Sequence, residues 1–144
     1  MTAELEHRVR VQLRWRDMDM LGHLNQSVYH ELIEEARAGL IFELVSRVGG
    51  DRVPGGFVVS HVDLDYHREV RKDHGEVEVA VRVEGVGNSS IRLEHQVWLP
   101  DGTLAASGRT VLVAWDPHTR GKRVLSPAER DALGAARQSA ERTS

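Results

Sequence analysis

Apolar residues recur every four positions through the middle of the first half of the chain. The repeat consists of Val28, Leu32, Ala36, Leu40, Leu44 and Val48, and it is widened by Tyr29, Ile33, Ile41 and Val45. This spacing places the side chains on one face of an α-helix and predicts a helix of about six turns. Asn25 or Ser27 can cap its first amides, and Gly49-Gly50 is typical of a helix end.

Alternating polar and apolar residues predict strands on both sides of this helix. Val9, Val11, Leu13 and Trp15 alternate with Arg8, Arg10, Gln12 and Arg14, which predicts a first strand with one buried face. Turn residues separate four later strands, which we expect to form an antiparallel meander. These four strands are predicted over Phe57–His67, Glu76–Val86, Ile91–Leu99 and Thr103–Trp115.

The end of the sequence predicts a short helix followed by a polar tail. Ser126 is a capping residue, Pro127 suits a first helical position, and Glu129 stands where a capping box needs it. Residues 138–144 are expected to be frayed. Because the long helix is apolar over a wide arc, the sheet must curl around it. The fold class is therefore predicted to be α+β, with a curved antiparallel sheet wrapped around one long central helix.

Size and composition restrict the function. The chain has 144 residues, which predicts a single domain over 1–144, and its net charge of -3 argues against nucleic-acid binding. It contains no cysteine, which excludes a thiol nucleophile and thiolate metal ligands. The first ten residues lack the apolar core of a signal peptide, and no window is apolar enough to span a membrane. We therefore expect a soluble, cytoplasmic protein.

The segment between the first strand and the helix carries the chemistry. It reads Asp17-Met18-Asp19-Met20-Leu21-Gly22-His23-Leu24-Asn25-Gln26-Ser27-Val28-Tyr29. It resembles the signature of the 4-hydroxybenzoyl-CoA thioesterase-like branch of hotdog-fold proteins, Asp-x-Asp-x-x-Gly-His-x-Asn-Asn-x-x-Tyr. Only the second Asn is replaced, by Gln26. The resemblance implies a hotdog fold, pairing through sheet edges into a homodimer or homotetramer, and active sites between subunits. Glu34-Glu35-Ala36-Arg37 matches the Glu-x-Ala-Arg of the family, and an ion pair within the helix or between subunits is its expected role.

By this resemblance, the catalytic carboxylate is Asp19, acting as general base or nucleophile on an acyl-CoA thioester. Thioester hydrolysis needs little more than one such carboxylate and a group that stabilises the oxyanion, because a thiolate leaves without a dedicated acid. The unpaired amides at the start of the helix, that of Gln26 among them, can polarise the carbonyl. Asp17 is expected to support the loop. Read without the resemblance, both acids could simply cap the loop or the helix entry.

Five further residues are candidate substrate contacts. His23 could hydrogen-bond the thioester or hold the loop, and Gly22 could permit a special backbone angle or serve as a plain turn residue. Asn25 is first a helix cap and second a substrate contact. Tyr29 could line the acyl pocket or belong to the core. His61 is predicted to face the pocket from a neighbouring subunit.

Coenzyme A would need cations or amides for its phosphates. The candidates are Arg71, Lys72, Asn88, Ser89, Ser90, Arg120, Lys122 and Arg123, although each charge alone is typical of a solvated surface. His61, Asp63, Asp65 and His67 share one face of a predicted strand. We interpret them as the wet face of a sheet and predict no metal. No cofactor is expected beyond the coenzyme A of the substrate.

Other common enzyme signatures are absent from the sequence. It has no Gly-x-Ser-x-Gly, no phosphate-binding Gly-x-x-x-x-Gly-Lys-Ser/Thr and no His-Glu-x-x-His. The sequence therefore favours an acyl-CoA thioesterase. Two alternatives remain open: a hotdog hydratase or dehydratase acting on acyl-CoA, and a non-catalytic domain that binds acyl-CoA.

Overall fold

The long central helix, α1, runs over Gln26–Val48 in the computed structural model, which describes residues 5–49 and 55–134. The side chain of Asn25 accepts a hydrogen bond from the Ser27 amide, and Gly49 ends the helix with φ of 98°. A positive φ is costly for any residue with a Cβ, so glycine suits this position. The predicted helix is confirmed, with Asn25 as its cap.

One antiparallel sheet covers the apolar face of α1. Its strands run in the spatial order β1-β4-β5-β6-β2, and the short β3 and β7 also pair with β6. The bounds are Glu6–Gln12 for β1, Gly56–Val62 for β2, Asp65–Tyr66 for β3, Glu76–Val86 for β4, Ser90–Trp98 for β5, Leu104–Asp116 for β6 and Gly121–Lys122 for β7. The sheet is curled into a half-barrel, so the predicted fold class is confirmed.

Three details of the predicted strands were wrong. The first strand ends at Gln12, because Trp15–Asp17 form a 3-10 turn instead of continuing the alternation. The predicted strand Phe57–His67 is divided in two. The meander has three strands, β4, β5 and β6, because β2 pairs with β6 and not with β4. α1 carries the chain across the sheet, so β2 begins at the edge opposite β1.

A close backbone crossing explains the division between β2 and β3. Asp63 passes over Gly108 of β6, where a Cβ would meet the carbonyl oxygen of Asp63 and the ring of His95. The Asp63 amide bonds the carbonyl of Arg109 at 2.9 Å, and His95 bonds the Asp63 carbonyl through Nε2 at 2.9 Å. Because the Asp63 carbonyl is taken by His95, the Arg109 amide bonds Asp63 Oδ1 at 3.1 Å instead of that carbonyl, and the ladder is interrupted.

The core lies between α1 and the concave face of the sheet. Side chains from the helix, such as Ala36, Leu40 and Leu44, are fully buried against Val79 and Leu93 of the sheet. In contrast, β2 is exposed along almost its whole length. Within the described residues, no helix is long and apolar enough to cross a membrane.

The predicted C-terminal helix begins at residue 127 and is described through residue 134; we call this segment α2. Ser126 Oγ accepts a bond from the Glu129 amide at 3.1 Å, and Glu129 Oε1 accepts one from the Ser126 amide at 2.8 Å. This reciprocal pair is the capping box that the sequence predicts. The predicted frayed tail, 138–144, lies outside the described residues.

Candidate active site at the entry of the central helix

Asp17 holds the loop that leads into α1. Its carboxylate is buried and accepts bonds from the main-chain amide of Arg14 at 2.9 Å and from the Arg14 guanidinium at 3.0 Å and 3.3 Å. Burial alone would raise the pKa of Asp17, but the hydrogen bonds from Arg14 outweigh burial and hold that pKa below its ordinary value. Its carbonyl also accepts from the amide of Asn25 at 2.8 Å. Asp17 therefore fixes the loop against the helix cap.

Asp19 is exposed and is held in place through one of its two oxygens. Oδ1 accepts from the amides of Leu21 at 2.9 Å and His23 at 3.1 Å. The Asp19 amide donates to the His23 carbonyl at 2.8 Å, and Gly22 closes the turn with φ of 79°. Oδ2 has no hydrogen-bond partner among residues 5–49 and 55–134. The loop thus orients the carboxylate and leaves one oxygen for chemistry.

The start of α1 presents one amide without an acceptor. The Ser27 amide bonds Asn25 Oδ1 at 3.1 Å, and the amides of Val28 and Tyr29 bond the Asn25 carbonyl. In the described part of the chain, the Gln26 amide alone in this first turn has no such bond. It stands at the positive end of a 23-residue helix, where developing negative charge is stabilised.

Asp19 lies in the wall between two clefts. One cleft, of about 340 Å³, is bounded by the helix entry on one side and by the segment after β2 on the other. Its lining includes Asp19, His23, Gln26, Tyr29, Tyr66 and Glu69. The other, of about 780 Å³, is lined on the far side of the loop by Trp15, Met18, Met20 and Lys72. Asp19 and the helix entry therefore share a space of ligand size, with apolar surface close by.

Two tyrosines form one wall of the smaller cleft. The ring of Tyr29 meets that of Tyr66 edge to face, with 5.1 Å between centroids. Burial, with smaller contributions from Tyr66 and Asp19, raises the pKa of Tyr29 to about 12. The hydroxyl of Tyr29 therefore keeps its proton at neutral pH and can act as a donor. Tyr29 is both a core aromatic and a cleft residue.

His23 lies against a carboxylate, that of Glu69, which the sequence analysis does not identify as a site residue. Its Nε2 lies 2.6 Å from Oε2 of Glu69, and Oε1 of Glu69 accepts from Arg71 Nη1 at 2.9 Å. Arg71 also bonds Asp73 at 2.9 Å. The sequence around Glu69 gives no signal that distinguishes it from an ordinary surface acid.

The candidate coenzyme A residues fall into two groups. Arg71 and Lys72 lie beside the loop of Asp19, and Lys72 lines the larger cleft. The second group lies around the other end of β6 and consists of Asn88, Ser89, Ser90, Arg120, Lys122 and Arg123. Ser90 pairs with Val113, whereas Tyr66 pairs with Ala106. These β6 positions are about 23 Å apart at roughly 3.3 Å per residue.

Arg123 is engaged inside the protein. Its guanidinium forms a two-point ion pair with Glu129, at 2.7 Å and 3.1 Å, and also bonds the carbonyls of Trp115 and Gly56. Asn88 likewise accepts from Arg130 through its side chain. These contacts give both residues a structural role in joining β6, the β4–β5 turn and α2.

The histidines and acids of β2 and of the segment that follows it do not converge on one point. His61 pairs with Asp63 at 2.9 Å, and His67 bonds Ser107 at 2.8 Å. No group of three or more potential metal ligands occurs within the described residues. His61 is exposed on the edge strand and lines neither cleft around Asp19.

Comparison with known proteins finds a family and many similar structures. Residues 13–136 match the family model of the thioesterase-like superfamily. A thioesterase from Thermus thermophilus, crystallised with coenzyme A and Zn, is 38% identical over 92% of this chain and 94% of its own, with a TM-score of 0.75. The PA2801 protein from Pseudomonas aeruginosa is 27% identical over 91% of this chain and 99% of its own, with a TM-score of 0.76.

A more distant structure shows the fold alone. The DHNA-CoA thioesterase from Staphylococcus aureus is 18% identical, covers 96% of this chain and 94% of its own, and has a TM-score of 0.77. Comparison with curated proteins finds no match.

Proposed function

Because the chain belongs to the thioesterase-like superfamily, whose hotdog architecture it shares, we propose that it hydrolyses an acyl-CoA thioester to a free acid and coenzyme A. One observation carries the proposal: Asp19 and the entry of α1, with its unbonded Gln26 amide, line the same cleft. The thioesterase from Thermus thermophilus, which binds coenzyme A in its crystal, supports the choice of substrate.

In this proposal Asp19 Oδ2 begins the reaction. It either attacks the thioester carbonyl or removes a proton from a water that attacks it. The carbonyl oxygen becomes negative and accepts a bond from the Gln26 amide, which the helix dipole strengthens. The C–S bond then breaks, and the sulfur leaves as a thiolate because the pKa of a simple thiol is only about 8.5. On the general-base route this step yields the free acid, and the proton on Asp19 passes to the thiolate or to solvent. On the nucleophilic route the acyl group stays on Asp19 as an anhydride, which a water hydrolyses to the free acid and the regenerated carboxylate.

The remaining signature residues support this step. Gly22 supplies the positive φ that brings the amides of Leu21 and His23 onto Asp19. The side chain of Asn25 accepts a bond from the Ser27 amide, so the Gln26 amide is the one that remains available to the substrate. Tyr29 and Tyr66 offer an aromatic wall to the acyl group. His23 contacts the substrate beside the carboxylate.

We further propose that the enzyme works as a homodimer or a homotetramer formed through the β2 edge. β2 is an exposed edge strand with Val58, Val59 and Val62 partly open to solvent. A groove of about 370 Å³ lies between this strand and α1 and is lined by Arg37 and Phe57 among others. An unpaired apolar edge of this kind is stabilised by pairing with a second copy.

In the proposed assembly, the candidate coenzyme A residues of one subunit would serve two different active sites. Lys72 is close enough to the Asp19 loop to bind a phosphate within one subunit. Arg120, Lys122 and the turn at Ser89 and Ser90 lie at the far end of β6, so in the proposed dimer they would reach a ligand at the partner's Asp19. His61, on the edge strand, would face the partner in the same arrangement.

A panel of acyl-CoA esters with short, long and aromatic acyl groups tests the proposal. Release of free thiol, measured with a chromogenic disulfide, is expected for at least one ester. The same panel includes an unsaturated acyl-CoA, whose loss of absorbance without thiol release would indicate a hydratase. Coenzyme A binding by calorimetry with no turnover of any ester would indicate a non-catalytic domain. Either result would contradict the proposal.

A further inference from the structure

A chain of three charged side chains leads away from His23 beside the cleft. The ring Nε2 of His23 lies 2.6 Å from Oε2 of Glu69, and the other oxygen of Glu69 is 2.9 Å from Arg71 Nη1. Arg71 is held in turn by Asp73 through Nε at 2.9 Å. His23 and Glu69 both line the cleft that contains Asp19. The proposed reaction does not yet use Glu69.

Main-chain bonds hold His23 and Glu69 next to each other. His23 and Arg71 form an antiparallel bridge, and the Leu24 amide donates to the carbonyl of the fully buried Val70 at 2.7 Å. The segment that carries Glu69 is therefore held beside the signature loop by main-chain bonds. Contact between Glu69 and His23 follows from this register and does not depend on two mobile surface side chains meeting.

The chemistry of the pair determines which ring nitrogen is available. The hydrogen bond from Arg71 holds the pKa of Glu69 below its ordinary value, so the carboxylate is ionised at neutral pH and can only accept. A ring nitrogen 2.6 Å from an ionised carboxylate oxygen would meet it lone pair to lone pair unless the nitrogen carried a proton, so we assign the proton to Nε2 of His23. Nδ1 has no hydrogen-bond partner among residues 5–49 and 55–134, which leaves it as the nitrogen for substrate or water.

We propose that Glu69 is a positioning residue, which fixes the ring of His23 in its Nε2–H form so that Nδ1 alone is available to the substrate beside Asp19. The inference rests on the proposed function. Orienting carboxylates of this kind act on turnover, because they reduce the number of ring states from which the reaction can proceed. Both side chains are about two-fifths exposed, at 41% and 43%, so their removal should leave the fold intact.

Three single variants test this role with acyl-CoA turnover as the first readout. Glu69→Ala is expected to lower kcat by roughly ten- to a hundredfold, by analogy with partners that orient histidines in other sites, with little change in KM. Glu69→Gln keeps an acceptor for Nε2–H and should restore most of the loss. Asp73→Asn is the matched control, because it removes the other carboxylate of Arg71 without touching His23, and its kcat should stay within twofold of wild type.

A double-mutant cycle with His23→Ala shows whether Glu69 acts through His23. If it does, adding Glu69→Ala to His23→Ala should cost nothing further. An equal additional loss in the double variant would overturn the proposal. So would wild-type kcat in Glu69→Ala, equal losses in Glu69→Ala and Asp73→Asn, or a failure of Glu69→Gln to recover activity.

A nitrogen-15 NMR readout needs no substrate and separates this inference from the proposed function. The neutral His23 ring of the wild type should be the Nε2–H tautomer, and Glu69→Ala should introduce the Nδ1–H form. An unchanged tautomer in Glu69→Ala would refute the positioning role, whatever the activity. If no ester is hydrolysed by the wild type, the proposed function fails, and the NMR result still decides whether Glu69 fixes the ring.

Discussion

The Arg123→Met variant should unfold more readily than the wild type, and it should still bind coenzyme A. Only 9% of the Arg123 side chain and 0% of the Glu129 side chain are exposed, and two bonds of 2.7 Å and 3.1 Å join them. The guanidinium also lies 5.3 Å from the ring centroid of Phe57. Met retains much of the stem but leaves the Glu129 carboxylate buried without its cation.

The expected loss in the free energy of unfolding follows from the burial of the Arg123–Glu129 ion pair. Removing one partner of a buried ion pair costs about 3–5 kcal/mol, because the remaining charge has lost its compensation. Arg47→Met is the control, since Arg47 pairs with Glu43 at 3.3 Å on the exposed face of α1. Loss of such a helix pair costs only about 0.3–0.5 kcal/mol.

Urea unfolding of both variants, at the same protein concentration, measures the difference between their free energies of unfolding. With an m-value of about 2 kcal/mol/M, Arg123→Met should move the midpoint down by roughly 1.5–2.5 M, and Arg47→Met should barely move it. Equal midpoints for the two variants would refute the reasoning. A raised KM for acyl-CoA without loss of stability would instead make Arg123 a coenzyme A ligand.

Three further outcomes are expected. Asp17→Asn should lower the free energy of unfolding by about 1–3 kcal/mol in thermal melts, because it weakens buried bonds from Arg14; an unchanged melting temperature would contradict this. Gly108→Ala should cost about 1–3 kcal/mol, since its Cβ meets Asp63, whereas Gly134→Ala, with open space around it, should not destabilise. The pKa of Asp17 is held below its ordinary value of 3.8, so the free energy of unfolding of the wild type should fall as pH drops through that folded pKa. The free energy of unfolding of Asp17→Asn should fall less over the same range, and parallel pH profiles for the two proteins would contradict this.

Local patterns made α1 and its cap predictable from sequence. The four-residue apolar repeat and the position of Asn25 depend only on the helix period and on capping, and both appear in the structure. The strands β4, β5 and β6 were likewise placed to within a residue, because each alternates between clear turn residues.

Features that depend on distant contacts were not predictable. The position of β2 next to β6 depends on where α1 delivers the chain, and sequence order does not encode that. The break at Asp63 requires Gly108 to pass beneath it, from 45 residues away in the chain. Glu69 reaches His23 only because two loops share a backbone bridge. Arg123 looked like a surface cation until its buried partner in α2 was known.

The most direct test of the account is the rate of thiol release by Asp19→Asn. Asn keeps an oxygen for the amides of Leu21 and His23, so the loop, the melting temperature and coenzyme A binding should be preserved. Turnover of the best acyl-CoA ester should fall by about 10²-fold or more, because the reacting oxygen has lost its charge. Thiol release by Asp19→Asn at the wild-type rate would contradict the central claim that this carboxylate hydrolyses the thioester.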